Sequence, residues 1–155
     1  MMARPLLTAA LLLASLAAPL PALAADKVVI TGDSFVVDDA KHQAVFTGNV
    51  VVTQAQMKLT ADKVVAYYGS GGARNITSVE ALAHVKIVNP TETAVGERAV
   101  YDPKARLLRL TGNVVVNNAT GQVQGAELVI DLNKNTSVFT GNKKGGRVTG
   151  VFTPQ

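Results

Sequence analysis

The chain has 155 residues, 48% of them hydrophobic, with a formal charge of +4, no cysteine and no tryptophan. That length suits one domain able to hold a core, and the lack of cysteine excludes a disulfide framework and a thiol nucleophile. Basic residues are scattered. The densest spot, Lys143-Lys144 with Arg147, is better explained as a solvated loop than as a nucleic-acid arm, so no nucleic-acid partner is expected.

At the N-terminus, Arg4 is the only charge before Asp26, residues 6–20 are nearly unbroken Leu and Ala, and Ala22-Leu23-Ala24 fits a small-x-small cleavage rule. This reads as a secretory signal peptide over residues 1–24, leaving a domain over 25–155. A retained anchor fits less well, because the apolar stretch is short for a span of about 20 residues and carries Pro19 and Pro21.

From there the chain reads as short strands with no helix, over residues 27–31, 34–38, 43–53, 56–68, 75–88, 92–101, 106–118, 121–132, 136–140 and 147–153. Gly32-Asp33, Asp38 to Lys41, Gly69 to Gly72, Asn89-Pro90, Asp102-Pro103, Asn117-Asn118, Asn133 to Asn135 and Gly145-Gly146 supply the turn chemistry. Strands without crossover helices predict an antiparallel sandwich, jelly roll or roll.

The strands repeat. Thr47-Gly48-Asn49-Val50-Val51-Val52 recurs as Thr111-Gly112-Asn113-Val114-Val115-Val116, and reads as β-branched strand chemistry after a Gly-Asn turn signal. Each copy is followed by a strand, a small residue, an acid and a further apolar run, as in Ala61-Asp62-Lys63-Val64-Val65. A weaker copy, Val79 to Ile87, puts His84 in the asparagine slot, and Val138 to Asn142 begins another.

Alternation by twos predicts the inner face. It selects Met57, Leu59 and Ala61; Leu108, Leu110, Val114 and Val116; Phe46, Val50 and Val52; Val79, Ala81, Ala83, Val85 and Ile87; and Val123. Val51 and Val115 then face outward. This lining of Val, Leu, Ile and Ala fits either a slim packed sandwich or a surface that lines a space.

No catalytic constellation emerges. His42 lies in a polar turn, His84 in a repeat slot, and no nucleophile-elbow pattern marks a serine. The acids stand singly apart from Asp38-Asp39, without metal-ligand spacing, and no helix follows the Gly69 to Gly72 loop to make a phosphate cradle. An enzyme, a metal site and a cofactor are therefore not expected.

The runs FTGNVVVTQ (Phe46 to Gln54), LTADKVV (Leu59 to Val65), LTGN (Leu110 to Asn113) and GRVT (Gly146 to Thr149) resemble the OstA-like family. This is the lipopolysaccharide-transport domain shared by LptA-type and LptC-type proteins and by the N-terminus of LptD-type proteins. The resemblance covers nearly all of residues 25–155, in the same order. A cleavable leader and a chain ending at Gln155 favour the soluble, periplasmic bridge over members with a membrane helix or a large barrel.

The resemblance implies a twisted, partly open antiparallel β jelly roll whose slot shelters the acyl chains of lipopolysaccharide. Val28, Ile30, Val37, Phe46, Val50, Val52 and Leu59 are the expected lining from the first half of the domain. Val85, Ile87, Val100, Leu108, Leu110, Val114 and Val116 are those from the second. It further implies a head-to-tail homo-oligomer, with the strands at 27–31 and 147–153 pairing with an LptC-like inner-membrane protein and an LptD-like outer-membrane protein. An envelope adaptor that touches no lipid and a carrier of another amphiphile, such as phospholipid, remain as alternatives.

Overall fold

The computed structural model describes residues 27–142 and 145–154. The leader, with its expected cleavage site, and Lys143-Lys144 lie outside them. Ten strands form one antiparallel sheet: β1 (Val28–Thr31), β2 (Ser34–Asp38), β3 (Gln43–Gln54), β4 (Met57–Tyr68), β5 (Ile76–Val88), β6 (Glu92–Asp102), β7 (Leu107–Asn118), β8 (Gly121–Asp131), β9 (Thr136–Thr140) and β10 (Thr149–Phe152). These match the ten expected strands, and a single 3-10 turn, Gly72–Arg74, lies between β4 and β5. No helix among the described residues is long and apolar enough to cross a membrane.

The sheet runs β1-β3-β4-β5-β6-β7-β8-β10, and both ends fork. β1 pairs with the C-terminal half of β3 while β2 pairs with its N-terminal half. At the other end β10 takes the N-terminal half of β8 and β9 its C-terminal half. Each edge is thus one strand broken in two.

The break follows a line through the whole sheet, and here the repeat shows its structural meaning. Gly48 and Asn49 have φ of 76° and 47°, Ala83 and His84 63° and 50°, Gly112 and Asn113 84° and 49°. The register shifts at each of these pairs. The Gly-Asn pair is therefore a two-residue left-handed bulge in mid-strand, where sequence suggested a turn ahead of a strand. Glycine and asparagine tolerate positive φ, and bulges bend the strand that carries them.

Repeated on β3, β5 and β7, the bulges crease the sheet. Burial records the result. Val50 and Val64 are fully covered and Leu110 is 1% exposed, although a single sheet supplies the whole structure. Such burial requires the sheet to fold over its own face, and residues from both sides of the bulge line make up one apolar cluster.

Candidate functional site

Tracing paired residues from strand to strand shows which side chains share the inner face. On one side of the crease, Phe35, Phe46, Val64, Ala81, Ala99, Leu110, Leu128 and Phe139 form one row. The next row outward includes Val37, Ala44, Ala66, Val79, Tyr101, Leu108 and Ile130. On the other side, Val50 pairs with Ala61 and Val114 with Gly125, and beyond them Ile30, Val52, Leu59, Ile87, Ala94, Val116 and Val123 form a row.

Small residues on the even strands let the crease close. A Cβ on Gly96 would stand 2.8 Å from Leu110 Cδ1, and one on Gly125 3.1 Å from the Thr140 carbonyl oxygen. At Gly96 the repeated small residue of the sequence is thus space left for a large neighbour across the fold. The acid beside it does something different, since Asp33, Asp62 and Glu97 bind the bulge residues Asn49, His84 and Asn113.

Burial falls with distance from the crease. Val114 and Val85 are at most 1% exposed, Ile87 and Val116 in the next row 8%, and Met57, in the row after that, is half-buried. Val52, Leu59, Leu108 and Ile130 are half-buried. This inner face, the slot, thus has a floor packed dry at the crease and aliphatic rows that grade to half-buried toward its two lips. Along its length both ends are apolar and open, with Phe35 55% exposed at one and Phe152 62% at the other.

Of the expected lining residues, Val28, Ile30, Val37, Phe46, Val50, Val52, Leu59, Val85, Ile87, Leu108, Leu110, Val114 and Val116 lie on this inner face. Val100 does not. It pairs with Glu80 and Arg109 on the outer face, where Arg109 binds Glu127 at 2.9 Å. The reason is a slip in alternation at Glu97, opposite the bulges, which puts Ala99 and Tyr101 inside instead. Ala83, also expected inside, sits in a bulge and is exposed.

The same slip hid Val64, Ala66, Leu128 and Ile130, which sequence alternation missed. The signal lay in their neighbours: Lys63, Arg98 and Glu127 mark the outward position just before Val64, Ala99 and Leu128. On the outer face Arg98 Nε donates to Glu80 Oε1 at 2.6 Å, and that bond holds the guanidinium above its ordinary pKa. Tyr67 donates to the other oxygen of Glu80 at 3.5 Å. Val65, paired with Glu80, is buried in this setting although it faces away from the slot.

No group of His, Asp and Glu able to hold a metal occurs among the described residues. The polar groups brace bulges, turns and the outer face, and the continuous feature is the aliphatic inner face. Residues 29–136 match the family model described as LptA/(LptD N-terminal domain) LPS transport protein. The chain belongs to this family. Its members are transport proteins and not enzymes, as the absence of a catalytic motif in the sequence suggested.

Among curated proteins, the chain is 29% identical over 132 residues to the lipopolysaccharide export system protein LptA of Haemophilus influenzae, covering 81% of this chain and 76% of that one. It is 26% identical over 138 residues to an uncharacterised protein of Rhizobium meliloti, covering 83% and 72%. Among solved structures, LptH of Pseudomonas aeruginosa, the LptA-homologous periplasmic component of a lipopolysaccharide transport device, superposes with a TM-score of 0.70 at 22% identity. That match covers 83% of this chain and 96% of LptH, and gives the jelly-roll fold an experimental counterpart.

Proposed function

We propose that this protein carries lipopolysaccharide through the periplasm, with the acyl chains held between the walls of the slot and the sugars in water. The observation that carries this reading is the burial gradient, from a dry crease to half-buried aliphatic walls. Each methylene withdrawn from water contributes about 0.8 kcal/mol, so several acyl chains need such shelter to cross an aqueous space. Non-directional apolar contact also allows the lipid to slide along the wall and leave.

Residues 1–24 act as a cleaved export signal, and 25–155 as one domain. The forked edges make the bridge: β1 and β2 at one end and β9 and β10 at the other add strands to further copies of the protein and to LptC-like and LptD-like domains. Exposed Val28, Val29, Phe35 and Val36 at the first edge, and Val138, Val151 and Phe152 at the second, support this assignment, since solvated edges of this kind otherwise invite aggregation.

Photo-crosslinking in cells tests the carrier reading. Leu59 and Leu108 on the inner face and Val100 and Val115 on the outer are all half-buried aliphatics. A photoreactive residue at Leu59 or Leu108 should capture lipopolysaccharide, and one at Val100 or Val115 should not. Equal capture at all four positions, or none at any, overturns the reading.

A further inference from the structure

The two lips of the slot differ in chemistry. The turns along one lip, at Ala55-Gln56, at Pro90-Thr91 and at Ala119-Thr120, contain no charged residue. Every connection along the other carries a base: Lys41 between β2 and β3, Arg74 between β4 and β5, Lys104 and Arg106 between β6 and β7, and Lys134 between β8 and β9. Aspartates open three of these turns and are bound to backbone N–H groups, as where Asp102 Oδ1 accepts from Lys104 and Ala105 at 2.9 Å. Lys41 and Lys134 pair with the aspartates of their own turns, at 3.3 and 4.0 Å. Arg74, Lys104 and Arg106 pair with no carboxylate among the described residues, and the last two share one turn.

Tyr101 stands next to them on the slot wall, in register with Val79 and Leu108. The hydroxyls of Tyr67 and Tyr68 donate to Glu80 and Asp39, at 3.5 and 2.7 Å. That of Tyr101 has no partner among the described residues. A half-buried phenol commonly presents its apolar ring to a greasy wall and its hydroxyl to a polar group.

We propose that Tyr101, Lys104 and Arg106 form the head-group end of the slot, where an anionic, phosphate-bearing amphiphile is held with its acyl chains toward the crease. The inference rests on the carrier reading and adds an orientation to it. Apolar contact alone has no direction and would accept the lipid over either lip. A phenol donor at the root of the acyl chains, beside two unpaired cations, favours one of them. The hydroxyl donates to an amide or ester oxygen there, and the guanidinium and ammonium take the phosphate.

The test uses the exported full-length protein and displacement of a fluorescent fatty-acid probe by three competitors: phosphorylated lipid A, lipid A stripped of its phosphates, and inorganic phosphate. Wild type should bind the phosphorylated form about tenfold more tightly than the stripped form, a preference set by charge-assisted contacts. K104Q/R106Q should abolish that preference, Y101F should weaken both lipids several-fold, and K58Q/K86Q, which removes outer-face charges elsewhere, should leave binding unchanged. Inorganic phosphate should displace nothing. Lipid binding that survives unchanged in K104Q/R106Q and Y101F overturns the orientation and leaves the carrier standing. Equal loss in K58Q/K86Q, or competition by phosphate alone, overturns it as well. No binding of either lipid by wild type defeats the carrier reading and this inference together.

Discussion

His84 Nδ1 lies 2.7 Å from Asp62 Oδ2, in the place where Asn49 Nδ2 donates to Asp33 at 3.0 Å and Asn113 Nδ2 to Glu97 at 3.0 Å. In each case an acid holds the second residue of a neighbouring bulge, Asp62 and Glu97 from the adjacent strand and Asp33 from the bend between β1 and β2. Exposed polar pairs of this type add little stability singly. Set in a line, they hold the bulges in step and keep the crease straight. The two halves of the sequence repeat, a small residue with an acid and a left-handed pair, are thus the two sides of one joint.

Ala83 and His84 are the least suited pair for that joint, since Ala83 carries a Cβ at a φ of 63°. A left-handed alanine costs about 1–2 kcal/mol, from which the entropy of an added glycine must be subtracted. Grafting Gly-Asn at this point with Ala83→Gly and His84→Asn should raise stability by about 0.5–1 kcal/mol, seen as a melting temperature higher by a few degrees. A lower melting temperature would show that the His84–Asp62 pair outweighs the relief of strain.

Gly96 and Leu110 meet across the crease, where a Cβ on Gly96 would lie 2.8 Å from two Leu110 carbons. Gly96→Ala should therefore cost about 1–3 kcal/mol through overpacking, and Leu110→Ala about 2–5 kcal/mol through the cavity it leaves. Combined, they should cost less than their sum by at least about 0.5 kcal/mol, because the added methyl enters the vacated space. Urea unfolding of the four proteins measures the coupling. Strict additivity would mean that the two residues do not share that space.

The behaviour of the odd and even strands explains how much of this was legible. Phe46 and Val50, or Leu110 and Val114, are separated by four positions across a two-residue bulge, so counting by twos along β3, β5 and β7 stays in phase. Ala61 and Val64, Gly96 and Ala99, and Gly125 and Leu128 are separated by three, so the same count on β4, β6 and β8 fails halfway. Period-two reasoning has no means of locating a slip imposed by a neighbouring strand. Strand positions needed only turn residues and β-branched runs, and were readable throughout. The burial gradient, the placement of Tyr101 on the slot wall and the difference between the lips depend on the fold closing, which no local pattern encodes.

The Asp38 carboxylate accepts from the Lys41 backbone N–H at 3.1 Å, and this bond, aided by the Lys41 ammonium, lowers its pKa from the ordinary 3.8. A folded-state pKa below the unfolded value contributes stability that is present above the unfolded pKa and lost as pH falls through the folded one. Asp38→Asn should therefore melt below wild type near neutral pH, with the gap closing as the solution is acidified below about pH 4. Thermal melts at a series of pH values measure it. A gap that stays constant into acid would assign the effect to packing of the turn and not to its charge.

Depth in the slot should separate folding from carriage. Val114, at the crease, is fully covered, whereas Val52 and Leu59 lie nearer a lip and are half-buried. Val114→Ala removes packed methyls and should lower stability by about 1–3 kcal/mol. Val52→Asn and Leu59→Asn leave the crease intact and, at half-buried positions, should cost less, yet each sets a polar amide where an acyl chain must lie, at about 1–3 kcal/mol against binding. Lipopolysaccharide binding and urea unfolding of the three variants would then rank in opposite orders. The same rank order in both measurements would show that the walls serve stability alone, and the acyl chains would have to be sought elsewhere on the molecule.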